Sequence, residues 1–173
     1  MSIYDYNEHK IEQAIEFLVK TISNSGHNPK PVVLHSIRVA EVLWSNCLPE
    51  ETIIAGILHD TAEDSSIGID DIKKEFGNSV SNIVGILTLT KLNTIDVSFK
   101  KSLDSVAALN IRAADLIDNS NYYNRAGSKE LSQRLYDKYT NFMHISQGKI
   151  DKALEKNLIE HYKSNVKPLI KNQ

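Results

Sequence analysis

Apolar residues recur along this chain at three- and four-residue spacing and almost nowhere alternate, a pattern that restricts it to helices packed on helices. The first segment is representative. Ile11, Ala14, Ile15, Leu18 and Ile22 share one stripe while Glu12, Glu16 and Lys20 lie off it, so residues 7–23 should form an amphipathic helix. With only 7 Gly and 4 Pro in 173 residues, turn signals are sparse, and no sheet competes with the helical reading. Pro31 suits the first turn of a second helix, from Val32 to about Asn46, and Pro49 starts a third through Ile53, Ile54, Ile57 and Leu58. A short helix from Asp70-Asp71 stops at Gly77. The pattern resumes over 79–90, a polar connection follows near Asn93 to Asp96, and helical segments are expected at 100–108, 110–119, 129–147 and 150–165. The expected fold is all-α, one domain over 1–173, with its core at about 10–145 and a C-terminal helix at about 150–165.

Charge then narrows the function classes. Lys and Arg total 20 against 22 Asp and Glu, a formal charge of -2, whereas a domain built to bind nucleic-acid backbone usually shows a clear basic excess. No nucleic-acid partner is expected. Cys47 is the single cysteine, so neither an internal disulfide nor a multi-cysteine zinc site can form, and a reducing cytoplasm fits. No run approaches the roughly 18 apolar residues that span a bilayer, and the first residues do not read as a signal peptide. The expectation is a cytoplasmic protein without membrane contact.

Four residues stand out by type: His35, the adjacent His59-Asp60, and Asp115. Imidazole nitrogens and carboxylate oxygens together suit a divalent transition ion such as manganese, iron or zinc. Neighbours on a helix point about 100° apart, so His59 and Asp60 can reach one ion only where the helix ends or bends. The polar stretch after Asp64 offers that freedom. Glu63, four residues beyond His59, would face the same side, where a carboxylate can orient or deprotonate a water. Asp64 stands beside it. His9, His27, His144 and His161 lack a convincing set of partners and read as structural.

The segments Leu34-His35-Ser36-Ile37-Arg38-Val39-Ala40, Ile57-Leu58-His59-Asp60-Thr61-Ala62-Glu63-Asp64, Phe76-Gly77 and Ala113-Ala114-Asp115-Leu116-Ile117-Asp118-Asn119 resemble the motifs of HD-domain phosphohydrolases. Within that superfamily they are most similar to the hydrolase domain of RelA/SpoT-type proteins and the small alarmone hydrolases. The resemblance covers roughly residues 10–145, and its most specific part is the His-Asp-Thr-x-Glu-Asp run. It implies an HD-type helical bundle and one divalent ion, manganese, held by His35, His59, Asp60 and Asp115. It further implies Glu63 and Asp64 as the pair that handles the attacking water, Asn119 as a contact to the substrate nucleoside, and Arg134 near the phosphates. The implied substrate is a small phosphorylated nucleotide: the family removes pyrophosphate from the 3′ side of guanosine tetra- and pentaphosphate, and some members dephosphorylate NADPH. Homologous domains often associate, so a homo-oligomer is compatible with the chain.

Family members usually carry a basic pair ahead of the first histidine that holds the guanine, followed by Pro-Tyr. Here Ser23 to Val32 offers no arginine, and Val32 stands where the tyrosine is expected. His27 or Lys30 are the candidates for a base or phosphate contact in that loop, and Lys100, Lys101 and Arg112 for a phosphate contact further on. Tyr122 and Tyr123 could stack on a base. The competing readings are an HD phosphatase with another substrate, such as a nucleoside monophosphate or an NADPH-like cofactor, and a non-catalytic HD module that senses a nucleotide. The adjacent Glu63 and Asp64 weigh against the sensor, which has no need of them.

Overall fold

A computed structural model describes residues 6–23, 31–89, 95–126 and 129–171. Among them every regular element is helical: α1 (Glu8–Ser23), α2 (Val32–Ser45), α3 (Glu50–Leu58), α4 (Thr61–Asp64), α5 (Ile69–Leu87), α6 (Ile95–Ser102), α7 (Val106–Ala126), α8 (Lys129–Ser146), α9 (Lys152–His161), a π-helical turn (Tyr162–Val166) and α10 (Lys167–Lys171). The all-α class is what the sequence led to expect. No helix of the described residues is long and apolar enough to cross a membrane.

The sequence explains most of the element boundaries. Pro31 and Pro49 stand immediately ahead of α2 and α3, where a missing N–H leaves no helical bond unmade. Asp151 caps α9, its carboxylate accepting from the amides of Ala153 at 2.9 Å and Leu154 at 3.0 Å. Gly77, with φ of 81°, breaks the helical path inside α5 at the expected stop, and the helix continues beyond it to Leu87.

Two expected elements are corrected. The segment 100–108 is not one helix: α6 ends at Ser102, and the Ser105 hydroxyl accepts from the Ala108 amide at 3.2 Å to open α7, which then runs unbroken to Ala126. Apolar spacing carries across this break because both flanking turns are helical, so periodicity alone could not see it. The segment 150–165 is also interrupted, since α9 passes into the π turn at Tyr162.

Helix α7 organises the interior. Its Ala108, Ile111 and Ala114 join a buried cluster with Leu18, Val39, Leu43, Ile57 and Val84 from α1, α2, α3 and α5. Its Leu109, Ala113, Leu116 and Ile117 join a second cluster with Phe99, Leu135, Tyr139, Phe142 and Leu154 from α6, α8 and α9. A helix apolar on both sides is one buried between two layers. The polar residues Asp115, Asp118 and Asn119 are thereby carried into the interior, facing the ends of α2 and α3.

Candidate metal and active site

His35 comes from α2 and is fully buried. His59 and Asp60 form the joint between α3, which ends at Leu58, and α4, which begins at Thr61, so the two adjacent side chains do not diverge as they would within one helix. Asp115 comes from the middle of α7. His35 Nε2 lies 3.3 Å from His59 Nε2, 3.1 Å from Asp115 Oδ1 and 3.7 Å from Asp60 Oδ2. His59 Nε2 lies 3.1 Å from Asp60 Oδ1 and 3.9 Å from Asp115 Oδ1. Ligand atoms of His35, His59 and Asp115 all fall within 4.8 Å of one another, a spacing that could hold a metal ion.

The other ring nitrogens fix how these imidazoles present themselves. His59 Nδ1 is 2.8 Å from the Gly56 carbonyl, which can only accept, so that nitrogen carries the proton. His35 Nδ1 is 2.6 Å from Asp118 Oδ2. With both Nδ1 atoms placed as donors, the two Nε2 atoms face one point from 3.3 Å apart, beside carboxylate oxygens, and as metal ligands both would present lone pairs there. Acceptors converging in this way repel each other, and a cation among them resolves the conflict. The donor set therefore fits a divalent ion.

Asp118 was quoted in the sequence without a role. It is 3% exposed at its side chain and takes a fork from Arg38, whose Nε reaches Oδ1 and whose Nη2 reaches Oδ2 at 3.1 Å. Burial alone would push its carboxyl up, but the hydrogen bonds from His35 and Arg38 outweigh that and hold it below the ordinary value. Asp115 and Asp118 are three residues apart and share a face of α7, as His35 and Arg38 do on α2, a spacing that permits these contacts without marking them.

Glu63 lies on α4 and accepts the Leu89 amide through Oε1, which ties the turn after His59-Asp60 to the end of α5. Burial pushes its carboxyl above the ordinary value, the Leu89 bond opposes the shift, and the neighbouring charge of Asp60 adds to it. Asp64 is half-buried at the end of the same turn. Asn119 is buried and donates to Asp115 Oδ1 at 2.6 Å, so its amide touches a candidate ligand directly.

The cations expected near the phosphates fall differently. Arg134 is exposed on α8 and Lys101 is exposed on α6, and none of the described contacts joins either to the cluster. Lys30 and His27 lie outside the described residues, as do the side chains of Tyr122 and Tyr123. Arg112, three residues before Asp115, is the basic residue placed against the carboxylates. It donates to Ser102 Oγ at 2.8 Å and the Leu87 carbonyl at 3.0 Å, and stands over the Phe99 ring. Burial lowers its pKa, opposed by the charges of Asp115, Glu63 and Asp60.

A helical bundle whose core closes around a His, His-Asp, Asp set is the architecture of a small metal-centred hydrolase fold. The HD domain family matches residues 14–133, most of the chain, and the chain belongs to that family. Among curated relatives, the guanosine-3′,5′-bis(diphosphate) 3′-pyrophosphohydrolase of Aquifex aeolicus is 32% identical over 94 residues, 53% of this chain and 14% of that protein. A GTP pyrophosphokinase of Streptomyces coelicolor is 35% identical over 63 residues, 36% of this chain and 7% of that protein. The matched segments are thus small parts of much longer proteins. Among solved structures, a metazoan SpoT ortholog described as hydrolysing ppGpp superposes with a TM-score of 0.78 at 21% identity, covering 92% of this chain and 97% of that one. That likeness establishes the same all-α fold.

Proposed function

We propose that the chain is a divalent-metal-dependent phosphohydrolase acting on a small phosphorylated nucleotide in the cytoplasm, with guanosine 3′,5′-bis(diphosphate) as substrate and pyrophosphate leaving from its 3′ side. The observation that carries this reading is the convergence of two imidazole Nε2 atoms on the carboxylates of Asp60 and Asp115, with Glu63 and Asp64 one turn further on. The Aquifex relative's name and that of the metazoan structure support the choice of substrate. We also propose that the whole chain works as one domain, since α7 belongs to both buried clusters.

In this reading His35, His59, Asp60 and Asp115 hold the ion; the mixed imidazole and carboxylate set suits manganese, iron or zinc, and the resemblance to the HD phosphohydrolases makes manganese the choice. The chemistry supplied on binding is Lewis acidity, which lowers the pKa of a water and withdraws charge from a phosphoryl oxygen. Glu63, anchored through Oε1 to the Leu89 amide, keeps Oε2 as proton acceptor for the attacking water. Asp64 orients that water. The new bond joins the water oxygen to the phosphorus that carries the 3′ oxygen, the bond between that phosphorus and the 3′ oxygen breaks, and the 3′ oxygen takes up the proton that Glu63 accepted from the water. Asn119 holds Asp115 and borders the nucleoside, while Arg134, Lys30 and Lys101 meet phosphate oxygens as the nucleotide binds.

One observation favours a second substrate. Val32, at the position where the family has the tyrosine that follows its guanine-holding basic pair, is 3% exposed and offers almost no surface to a base. A nucleoside monophosphate or an NADPH-like phosphate ester then becomes the alternative. The test is a phosphate- and pyrophosphate-release screen over guanosine tetraphosphate, NADPH and nucleoside monophosphates, using protein stripped of metal and resupplied with Mn2+. Pyrophosphate from guanosine tetraphosphate is expected, and Asp60→Ala should lose both metal content and turnover. Inorganic phosphate from another compound would move the substrate, and no release with any divalent metal would leave the sensing module.

A further inference from the structure

The two histidines of the cluster are supported unequally. His59 rests its Nδ1 on a neutral acceptor, the Gly56 carbonyl, from its own helix. His35 has a carboxylate of α7 at each ring nitrogen: Asp118 accepts from Nδ1 at 2.6 Å and holds the ring, while Asp115 stands 3.1 Å from Nε2 as a fellow candidate ligand. Asp118 is in turn closed by Arg38, one turn along α2 from His35, which covers both of its oxygens with one guanidinium. An i, i+3 pair of α2 therefore clasps an i, i+3 pair of α7 across 80 or more residues of sequence. We infer that Asp118 and Arg38 are positioning residues that hold His35 in its metal-ligating orientation, so that metal affinity is set from outside the donor set.

The physical basis is the fixed polarity of the chain. An ionised carboxylate has no proton to give, so Asp118 keeps the proton on His35 Nδ1 and turns Nε2, the donor nitrogen, toward His59 and Asp115. A charged acceptor also holds the ring more firmly than the neutral carbonyl behind His59 does. Arg38 satisfies the remaining lone pairs of a carboxylate that is otherwise buried, which keeps it in place and ionised. Because the Arg38 side chain is 42% exposed, the chain of contacts runs from solvent to the ligand atom.

This inference rests on the proposed metal set, and the experiment separates the two. The Mn2+ dissociation constant is measured by competition with a fluorescent chelator for the full chain and for Asp118→Asn, Arg38→Ala and Arg38→Lys, with the thermal midpoint of each metal-free protein as the check on folding. Asp118→Asn, which turns an amide N–H toward either His35 or Arg38, should weaken Mn2+ binding about 10- to 100-fold. Arg38→Ala should weaken it by less, and Arg38→Lys should recover part of that loss, a graded rescue that a merely structural role would not give. Should Asp118→Asn not fold, the Arg38 pair decides. Mn2+ binding by the unaltered chain that stays unchanged in both Asp118→Asn and Arg38→Ala would overturn the inference while leaving the metal site standing. Failure of the unaltered chain to bind Mn2+, Fe2+ or Zn2+ would overturn the metal site and the inference together.

Discussion

Gly56→Ala sets two effects of known size against each other one turn before His59. Gly56 is the seventh residue of α3, and alanine in a helix interior is favoured over glycine by about 0.5–1 kcal/mol. Against that, a Cβ built on Gly56 would stand 2.4 Å from Leu43 Cδ1, with Val39 Cγ1 at 3.7 Å and Ile111 Cγ1 at 3.9 Å. Leu43 is a flexible side chain, but it is fully buried in the core cluster with residues of α1 and α3, so moving it displaces packed neighbours. Overpacking of this kind costs roughly 1–3 kcal/mol, so the net expectation is a loss of about 1–2 kcal/mol. For a chain of this length that lowers Tm by about 3–6 °C. The relief available is a shift of α3 away from α2, and the Gly56 carbonyl that holds His59 Nδ1 moves with it. Mn2+ affinity should therefore fall together with stability. Urea and thermal unfolding of the metal-free protein, followed by a Mn2+ titration, measure both. A variant more stable by the full helix-propensity gain, with unchanged Mn2+ affinity, would refute the claim that glycine is required for the close approach of α3 to α2.

Glu63→Gln should abolish most turnover, by about 10²- to 10⁴-fold if Glu63 is the general base, while an amide oxygen still accepts the Leu89 N–H. The same change should stabilise the metal-free protein at neutral pH: with a folded pKa above its unfolded value, Glu63 favours folding at low pH and loses that contribution as pH rises through the folded value. The two metal-free proteins should converge in urea midpoint below the ordinary carboxylate range. Arg112→Lys gives up a fork that reaches Ser102 Oγ and the Leu87 carbonyl at once, and leaving a buried partner unmet should cost about 1–3 kcal/mol in urea unfolding. Asp151→Ala removes the cap of α9 and should cost about 0.5–2 kcal/mol with turnover unchanged, since α9 meets α7 on the side opposite the cluster; a fall in turnover with intact folding would contradict that placement.

What the sequence could show follows from how far each feature reaches along the chain. A three-and-four apolar rhythm is local, so α1, α2, α3 and α8 were legible nearly to the residue, and Pro31, Pro49 and Gly77 carried their own geometry. The break between α6 and α7 depends on a serine hydroxyl capping an amide, and the π turn after His161 on packing against α7 and α8, neither of which alters apolar spacing. Helix α7 was hardest to read because it has no solvent face through most of its length; apolar residues on both sides blur the stripe that marks a surface helix.

The site divides along the same line. His35, His59, Asp60 and Asp115 could be named because residue type alone limits what they can do, and Glu63 and Asp64 because they follow His59 within a turn. Their convergence was not in the spacing, since it depends on α2 crossing α7 some 80 residues away in sequence. Asp118 shows the limit most clearly. A lone aspartate three residues from another reads as a solvated helix face, and only the crossing turns it toward His35 Nδ1 and under Arg38. The cations show the converse: Arg134 and Lys101 have the right chemistry but are exposed and outside the described contacts of the cluster, whereas Arg112, buried against the carboxylates, was one weak candidate among three. Charge in a sequence says which residues can meet phosphate, and only the packing says which of them stand beside the carboxylates. Arg112 holds its guanidinium on Ser102 and Leu87, which fixes a positive charge near Asp60, Glu63 and Asp115 where spacing along the chain gives no hint of it.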